Sequence, residues 1–394
     1  MFYIIVLAAI MGLIATDLYV PSLPQIAVIF QQSQNHTELT LSLFLLGFAI
    51  SQLFYGPISD RIGRKLPLMI GVMLFIIGSI ICSATPTFWG LCAGRVVQGI
   101  GAGAGLSLAR VMLRDCYAGT ELAVKSSQVG VFITLAPAIA PLLGGLLAQY
   151  FGFRSGFIFL TLYGLILCLL LITVFKETNQ HKDPHLNLNS TLTNYGRLLS
   201  NFTFMRYVVT SGLAFASIIL YANIIPFVLQ NQLHLSAGQN GMMMLFAAFG
   251  CTTGAWTSSR IVQHFSPLTL VQFALLLLLV SGALMIITKY SFSIHLAILI
   301  PLLFVVTIAC GLIFPNSMTL AFAQINVNIG IAGAIFGSFQ ILTSMLINFI
   351  LNAVSNQGLI LLGLFYLGIG ICGLSMYQIY PVHKKMPVTS GLTG

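Results

Sequence analysis

Two ionisable side chains stand inside stretches that are otherwise apolar. They are Asp17, in Ala15-Thr16-Asp17-Leu18-Tyr19-Val20-Pro21-Ser22-Leu23-Pro24, and Arg95, in Arg95-Val96-Val97-Gln98-Gly99. At bilayer depth a charged side chain costs a few kcal/mol even on the mildest scale, so each needs a task or a partner. Asp17 is the only acid placed inside an apolar run. Glu38, Asp60, Asp115, Glu121, Glu177 and Asp183 fall in loops or at the ends of runs, and nothing after Asp183 is acidic. A low dielectric disfavours the ionised form, which suits a carboxyl that takes up and gives back a proton. Asp17 is therefore the candidate proton carrier. The competing reading is a neutral, hydrogen-bonded aspartate that steadies the break made by Pro21 and Pro24.

The rest of the chain explains why such residues would lie in lipid. Of 394 residues, 58% are hydrophobic and 6% charged, with a mean hydropathy of +1.00, which excludes a soluble globular domain. Apolar windows between polar or Gly/Pro breaks number twelve, near 2–30, 38–58, 66–84, 87–109, 125–149, 154–175, 205–229, 238–261, 267–288, 293–318, 329–353 and 358–380. The net charge of +9 includes no basic stripe with interleaved aromatics, so it reads as topology and not as a nucleic-acid footprint. Arg61, Arg64, Lys65, Arg110, Arg114, Lys125, Lys176, Lys182, Arg197, Arg206, Arg260, Lys384 and Lys385 fall on the face shared by the termini, and Arg154 and Lys289 on the other. Thirteen against two predicts cytoplasmic termini. Phe2 onward reads as a first span and not a removed signal. Seven cysteines without metal-ligand spacing read as small apolar residues, and no metal site or disulfide framework is expected. The sequons at Asn35, Asn189 and Asn201 read as chance.

The densest charge lies in Gly56-Pro57-Ile58-Ser59-Asp60-Arg61-Ile62-Gly63-Arg64-Lys65, a polar turn between two spans. With Gly56, Asp60, Arg61, Gly63, Arg64 and Lys65 in place, it resembles the loop signature of the major facilitator superfamily. A plain cytoplasmic hairpin is the bland alternative. The resemblance implies an all-α polytopic membrane protein with the major facilitator fold, twelve transmembrane helices in two pseudo-symmetric six-helix bundles around one cavity. On that division, residues 1–175 form the first bundle, 176–205 a cytoplasmic linker and 206–394 the second bundle. In the linker, Leu192, Tyr195, Leu198, Leu199 and Phe202 at helical spacing suit a short amphipathic helix, with a plain tether as the alternative. The equivalent turn of the second half, Ser259-Arg260-Ile261-Val262-Gln263-His264, keeps one arginine and no acid, so the repeat is degenerate.

The fourth span, with Arg95, Gln98 and a glycine run to Gly105, resembles that superfamily's arginine-glutamine-glycine signature. In the implied fold Arg95 would find Asp17, or carbonyls unwound near Pro21, as its partner and would tune the proton affinity of Asp17. The glycines follow no strand, which argues against a dinucleotide loop; Gly99/Gly103 and Gly101/Gly105 have the spacing of small-residue helix packing. Gly105-Leu106-Ser107-Leu108 matches a short serine-protease motif, but the seven histidines fall in loops or near helix ends, so no enzyme is expected. Arg110-Val111-Met112-Leu113-Arg114-Asp115 closes this span on the cytoplasmic side, with Asp115 expected to pair with local arginines as a lock. Together with Thr16 to Pro24 and Gly47-Phe48-Ala49-Ile50-Ser51-Gln52, it resembles the Bcr/CflA branch of drug:proton antiporters. Ala136-Pro137-Ala138-Ile139-Ala140-Pro141-Leu142-Leu143-Gly144-Gly145 is similar to the antiporter signature, with Ala140 where the general pattern has glycine. Pro137 and Pro141 would kink the span, and Gly144 and Gly145 would admit a close neighbour.

The second half offers no acid. Tyr221, Asn223, Met243, Phe246, Asn316 and Gln340, with Tyr19 and Gln98 from the first half, are the candidate substrate contacts, the methionine-rich surface suiting varied hydrophobic ligands. Each taken singly is also an ordinary packing residue. The resemblance implies proton-driven export of a small amphipathic compound from a bacterial cytoplasm, through the inner membrane, by a monomer that needs protons and lipid but no cofactor. The turn at Asp60, Arg61 and Arg64 would hold the cytoplasmic ends of the two halves together when the cavity faces outward. Export of a metabolite such as a siderophore or purine, uptake by proton symport, and a non-transporting receptor are the alternatives.

Overall fold

Backbone polar groups in lipid must be satisfied within their own segment, so long apolar runs fold as helices. The computed structural model describes residues 1–179, 188–291, 296–323, 325, 329–352 and 358–379, and all regular structure among them is helical. Lys182, Asp183, Lys384 and Lys385 lie outside the described residues. In the first half the elements are α1 (Phe2–Asp17), α2 (Leu23–Ile29), α3 (Gln34–Ile62), α4 (Lys65–Ala84), α5 (Phe88–Cys116), α6 (Gly119–Phe151) and α7 (Arg154–Thr173). After α8 (Leu188–Leu199) come α9 (Phe202–Phe227), α10 (Ala237–Ile261), α11 (Pro267–Ser291), α12 (Leu296–Phe322), α13 (Ile329–Asn352) and α14 (Leu359–Ile379). By length and composition 11 spans among the described residues are apolar enough to cross a membrane, α1 and α2 together making the first. The remaining long helix is α10, made more polar by its Gln, Asn, Thr and Ser residues. The amphipathic helix expected in the linker is α8, whose Tyr195 hydroxyl donates to the Leu53 carbonyl at 3.1 Å.

Two helices are longer than the sequence suggests. Ser33 caps α3, its hydroxyl accepting from the His36 amide, so the helix starts at Gln34 and places Glu38 in its second turn, fully buried, with Gln34 Nε2 donating to its carboxylate at 2.8 Å. The same helix runs through Pro57 to Ile62, so Gly56, Asp60 and Arg61 are helical and only Gly63 and Arg64 form the turn. Gly63 has φ 104°, a left-handed value that glycine adopts without a Cβ clash. Helix α5 continues to Cys116, which makes Arg110, Arg114 and Asp115 part of the rod and not a loop after it.

Helix α5 is the axis of the first half. A Cβ added at Gly99 or Gly103 would collide with α3, at Gly101 with the α4 backbone, and at Gly105 with the Ala8 carbonyl of α1. The glycine run thus lets three helices approach one rod at backbone distance. In the second half, Gly254 and Gly311 bring α10 against α12, and Gly282 and Gly363 bring α11 against α14. The halves meet along two seams, α6 with α10 and α3 with α13. At the face opposite the Gly63 turn the seam is closed by Gln230 Nε2 donating to the Pro21 carbonyl at 3.0 Å and by the Gly238 amide donating to Gln149 Oε1 at 3.1 Å.

Candidate functional site

Between the halves lies a cavity of about 290 Å³, walled by α1, α3, α5 and α6 on one side and α9, α10, α12 and α13 on the other. That size approaches the roughly 300–1,000 Å³ of small-molecule pockets. Its wall is mostly aliphatic and aromatic, with Phe48, Phe215 and Phe314 prominent, and its polar groups are few: Thr16, Asp17, Arg110, Tyr221, Thr307 and Gln340 are the main ones. Helices α4, α7, α11 and α14 contribute no lining residue.

Asp17 is placed in this wall by a backbone break. Pro21 and Pro24 lack the amide hydrogens that would bond the carbonyls of Asp17 and Val20, so α1 stops at Asp17 and the chain passes through a single 3-10 turn, Val20–Ser22, before α2. The half-buried carboxyl faces the cavity and makes no hydrogen bond or ion pair with any described residue. Gly144 of α6 packs against the Leu18 carbonyl at this break, so part of the proline-glycine segment of α6 supports the carboxyl's surroundings. Pro137 and Pro141 both line the cavity, and α6 runs uninterrupted past them.

Arg95 does not pair with Asp17. It is fully buried inside the first half, where Nη1 donates to the Ala15 carbonyl at 3.2 Å and to Gln98 Oε1 at 2.6 Å, while Gln98 Nε2 donates to Ser79 Oγ at 2.8 Å. Its guanidinium carbon lies 4.5 Å from the Tyr19 ring centroid and 4.2 Å from that of Phe44, within cation–π range. The Tyr19 hydroxyl in turn bonds Thr40 Oγ1. Of the two expected partners Asp17 is not engaged, and a carbonyl of the first helix is, that of Ala15 ahead of the Pro21 break; Tyr19 and Gln98 are buried around Arg95 and do not line the cavity. What Arg95 holds is the backbone two residues before Asp17.

The polar turn is built around Arg64. Its side chain pairs with Asp60, donates through Nε to Asp115 Oδ2 at 2.8 Å and through Nη1 to Ser59 Oγ at 2.7 Å. Burial alone would pull the guanidinium down, but the bonds to Asp115 and Asp60 hold it above its ordinary range. Glu177, which sequence reasoning passed over, accepts the Arg64 and Lys65 amides at 2.8 and 3.1 Å, and Asn179 Nδ2 reaches the Ser59 and Asp60 carbonyls. The named partners all belong to the first half. In this conformation the turn ties α3, α4, α5 and the segment after α7 into one corner, and none of these bonds reaches the second half; Arg61 and Arg114 are exposed. Among the described residues Asp115 pairs with Arg64 of the turn and with no arginine of its own helix. Arg64→Ala should loosen this corner by about 1.5–3 kcal/mol, because it removes the charge-assisted bonds to Asp60 and Asp115 and leaves Asp115 with the Thr178 hydroxyl; an unchanged thermal unfolding midpoint in detergent would contradict that.

In the second half, Tyr221 and Gln340 line the cavity as expected, and Asn223, Asn316, Met243 and Phe246 do not. Asn223 Nδ2 donates to Asn348 Oδ1 at 2.8 Å, joining α9 to α13, and Asn316 Nδ2 bonds Ser258 Oγ and the Leu312 carbonyl, both at 2.7 Å, joining α12 to α10. The Nδ2 groups of both are taken by these cross-helix bonds, while Oδ1 of Asn223 has no hydrogen-bond partner among the described residues. Met243 and Phe246 edge a small lateral crevice that shares Tyr221 with the cavity, whereas Met244, one residue on, faces the cavity itself. The contact that sequence reasoning missed is Arg110, assigned there to the cytoplasmic end of its span.

The Major Facilitator Superfamily model matches residues 5–346. An uncharacterized MFS-type transporter, YdgK, of Bacillus subtilis is 29% identical over 88% of this chain and 87% of its own. Multidrug resistance protein D of Escherichia coli K12 is 28% identical over 85% of this chain and 84% of its own. Among solved structures, a D-xylose-proton symporter superposes with a TM-score of 0.74 at 16% identity, over 96% of this chain and 97% of that one.

Proposed function

The chain belongs to the Major Facilitator Superfamily, and from that premise we propose that it is a proton-coupled exporter of small amphipathic compounds, drugs among them, working by alternating access. The observation that carries the reading is the carboxyl of Asp17, unpaired among the described residues, in the wall of a largely apolar cavity between two helical halves. The name of the Escherichia coli relative supports drug export. A cavity completed within one chain supports a monomer, and no resident cofactor is needed because the proton gradient drives the cycle. The termini lie in the cytoplasm of a bacterium, with the Gly63 turn and its arginines, as the positive-inside rule requires.

In this mechanism substrate and proton compete for the cavity. Protonation of Asp17 from outside favours outward release of substrate, and loss of that proton to the cytoplasm resets the carrier. Arg95 is a positioning residue: by gripping the Ala15 carbonyl it holds the last turn of α1, which the prolines end, and so where Asp17 points. The test is transport in vesicles reconstituted with the purified protein, under an imposed pH gradient, of rhodamine 123, chloramphenicol and fluorescein as cationic, neutral and anionic probes. Movement of at least one probe against its gradient, opposite in direction to the proton, is expected. Movement in the same direction as the proton would establish symport, and a gradient without effect on any probe would overturn proton coupling.

A further inference from the structure

The polar groups of the cavity are unevenly placed, and Arg110 is the charged one without a task in the mechanism above. It projects from α5 six residues before Cys116, which at 1.5 Å per residue is about 9 Å inside the end of the rod, and it is open to the cavity. Among the described residues it makes one hydrogen bond, Nη1 to the Gly333 carbonyl of α13 at 3.3 Å, and no ion pair. A guanidinium has five N–H donors in a flat fork. The helix it lies against is cut back to receive it: Gly333 and Gly337, four apart and so on one face of α13, would each bring an added Cβ to within 4.0 Å of Nη1. Arg110 lines a chamber whose only lining carboxyl among the described residues is Asp17.

Arg110 stands near the end of α5 that leads to the Gly63 corner, and Asp17 at the far end of α1, so a substrate loading from that corner meets the guanidinium first. An amphipathic cation entering from this end would meet like charge, while a carboxylate, phenolate or similar oxyanion would find a fork of donors in a desolvated site, where such bonds are strong. We propose that Arg110 is the anion-recognising group of the central cavity, and that the substrates are amphipathic compounds bearing an acidic group, zwitterions included, in preference to lipophilic cations. This rests on the transporter reading above and names the substrate class for the same site. Its opposite is a latch, in which Arg110 merely ties α5 to α13 through Gly333.

Fluorescein and rhodamine 123 share a three-ring frame and differ in charge, so binding of the two dyes to purified protein in detergent, read by fluorescence anisotropy, separates the cases without any gradient. Wild type is expected to bind fluorescein at least about tenfold more tightly than rhodamine 123. Arg110→Gln should remove that preference and Arg110→Lys should keep most of it. A wild-type preference for rhodamine 123, failure to bind either dye, or an Arg110→Gln variant that weakens both dyes equally would overturn the proposal, the last pointing to a latch. The wild-type comparison decides even if a variant fails to fold. Selective anion binding without gradient-driven movement in vesicles would instead defeat the exporter reading alone, and proton-driven movement of chloramphenicol without anion preference would defeat this inference alone.

Discussion

Asp17→Asn is expected to abolish pH-gradient-driven transport while leaving probe binding within about threefold of wild type. The substitution keeps the shape of the side chain and removes only its capacity to exchange a proton. No described residue bonds the carboxyl, so no partner is stranded and the fold should hold. An amide is neutral at every pH, so the variant can no longer exchange a proton with either side of the membrane. Substrate should still exchange across the membrane down its own gradient, and the imposed pH difference should do nothing. Accumulation ratios in reconstituted vesicles at inside-to-outside pH differences of zero and one unit measure the effect, and a fall of about a hundredfold or to background is the expected size. Persistent gradient-driven accumulation by Asp17→Asn would remove Asp17 from the coupling step and turn attention to Glu38, the other acid buried among the helices.

How much of this was readable beforehand depended on whether a residue's role is set by its own segment or by its neighbours. The spans, the break at Pro21 and the lone carboxyl of Asp17 follow from apolar length and proline chemistry, both local. That Arg95 takes the Ala15 carbonyl and not Asp17 does not, since a guanidinium can bond a carbonyl, an amide and ring faces as well as a carboxylate, and the packing of α1, α3 and α5 supplies those, leaving Nε and Nη2 without a hydrogen-bond partner among the described residues. Arg110 was hidden by a boundary error of a few residues: ending the span near residue 109 puts it in water, and ending it at Cys116 puts it in the cavity. On α10 the error is one of phase, because a one-residue step turns a helix by about 100° and separates Met243 on the crevice from Met244 in the cavity. Asn223 and Asn316 are polar and within spans, like true ligand contacts, but no sequence pattern tells a cross-helix amide bond from a substrate bond.

The glycines give the second large effect, and it separates two residues that composition treats alike. At Gly101 an added Cβ would lie closer than 3.0 Å to the Phe75 amide nitrogen, the Phe75 Cα and the Gly71 carbonyl oxygen, all backbone atoms that cannot rotate aside. Gly101→Val therefore forces α4 and α5 apart along the axis of the first half, and the strain falls at or above the upper end of the roughly 1–3 kcal/mol usual for overpacking. Loss of the monodisperse peak in gel filtration, or an unfolding midpoint lowered by many degrees, is expected. Gly56 belongs to the same family signature as the Arg64 corner, yet an added Cβ there meets nothing within 4 Å, and the residue sits inside α3. Gly56→Ala should thus be neutral or stabilising by about 0.5–1 kcal/mol through helix propensity. If Gly56→Ala keeps stability and still loses transport, the space above Gly56 is used by a neighbour in the opposite conformation of the cycle, where the α3–α13 seam must rearrange. If Gly101→Val folds normally, the rigid-rod account of α5 is wrong.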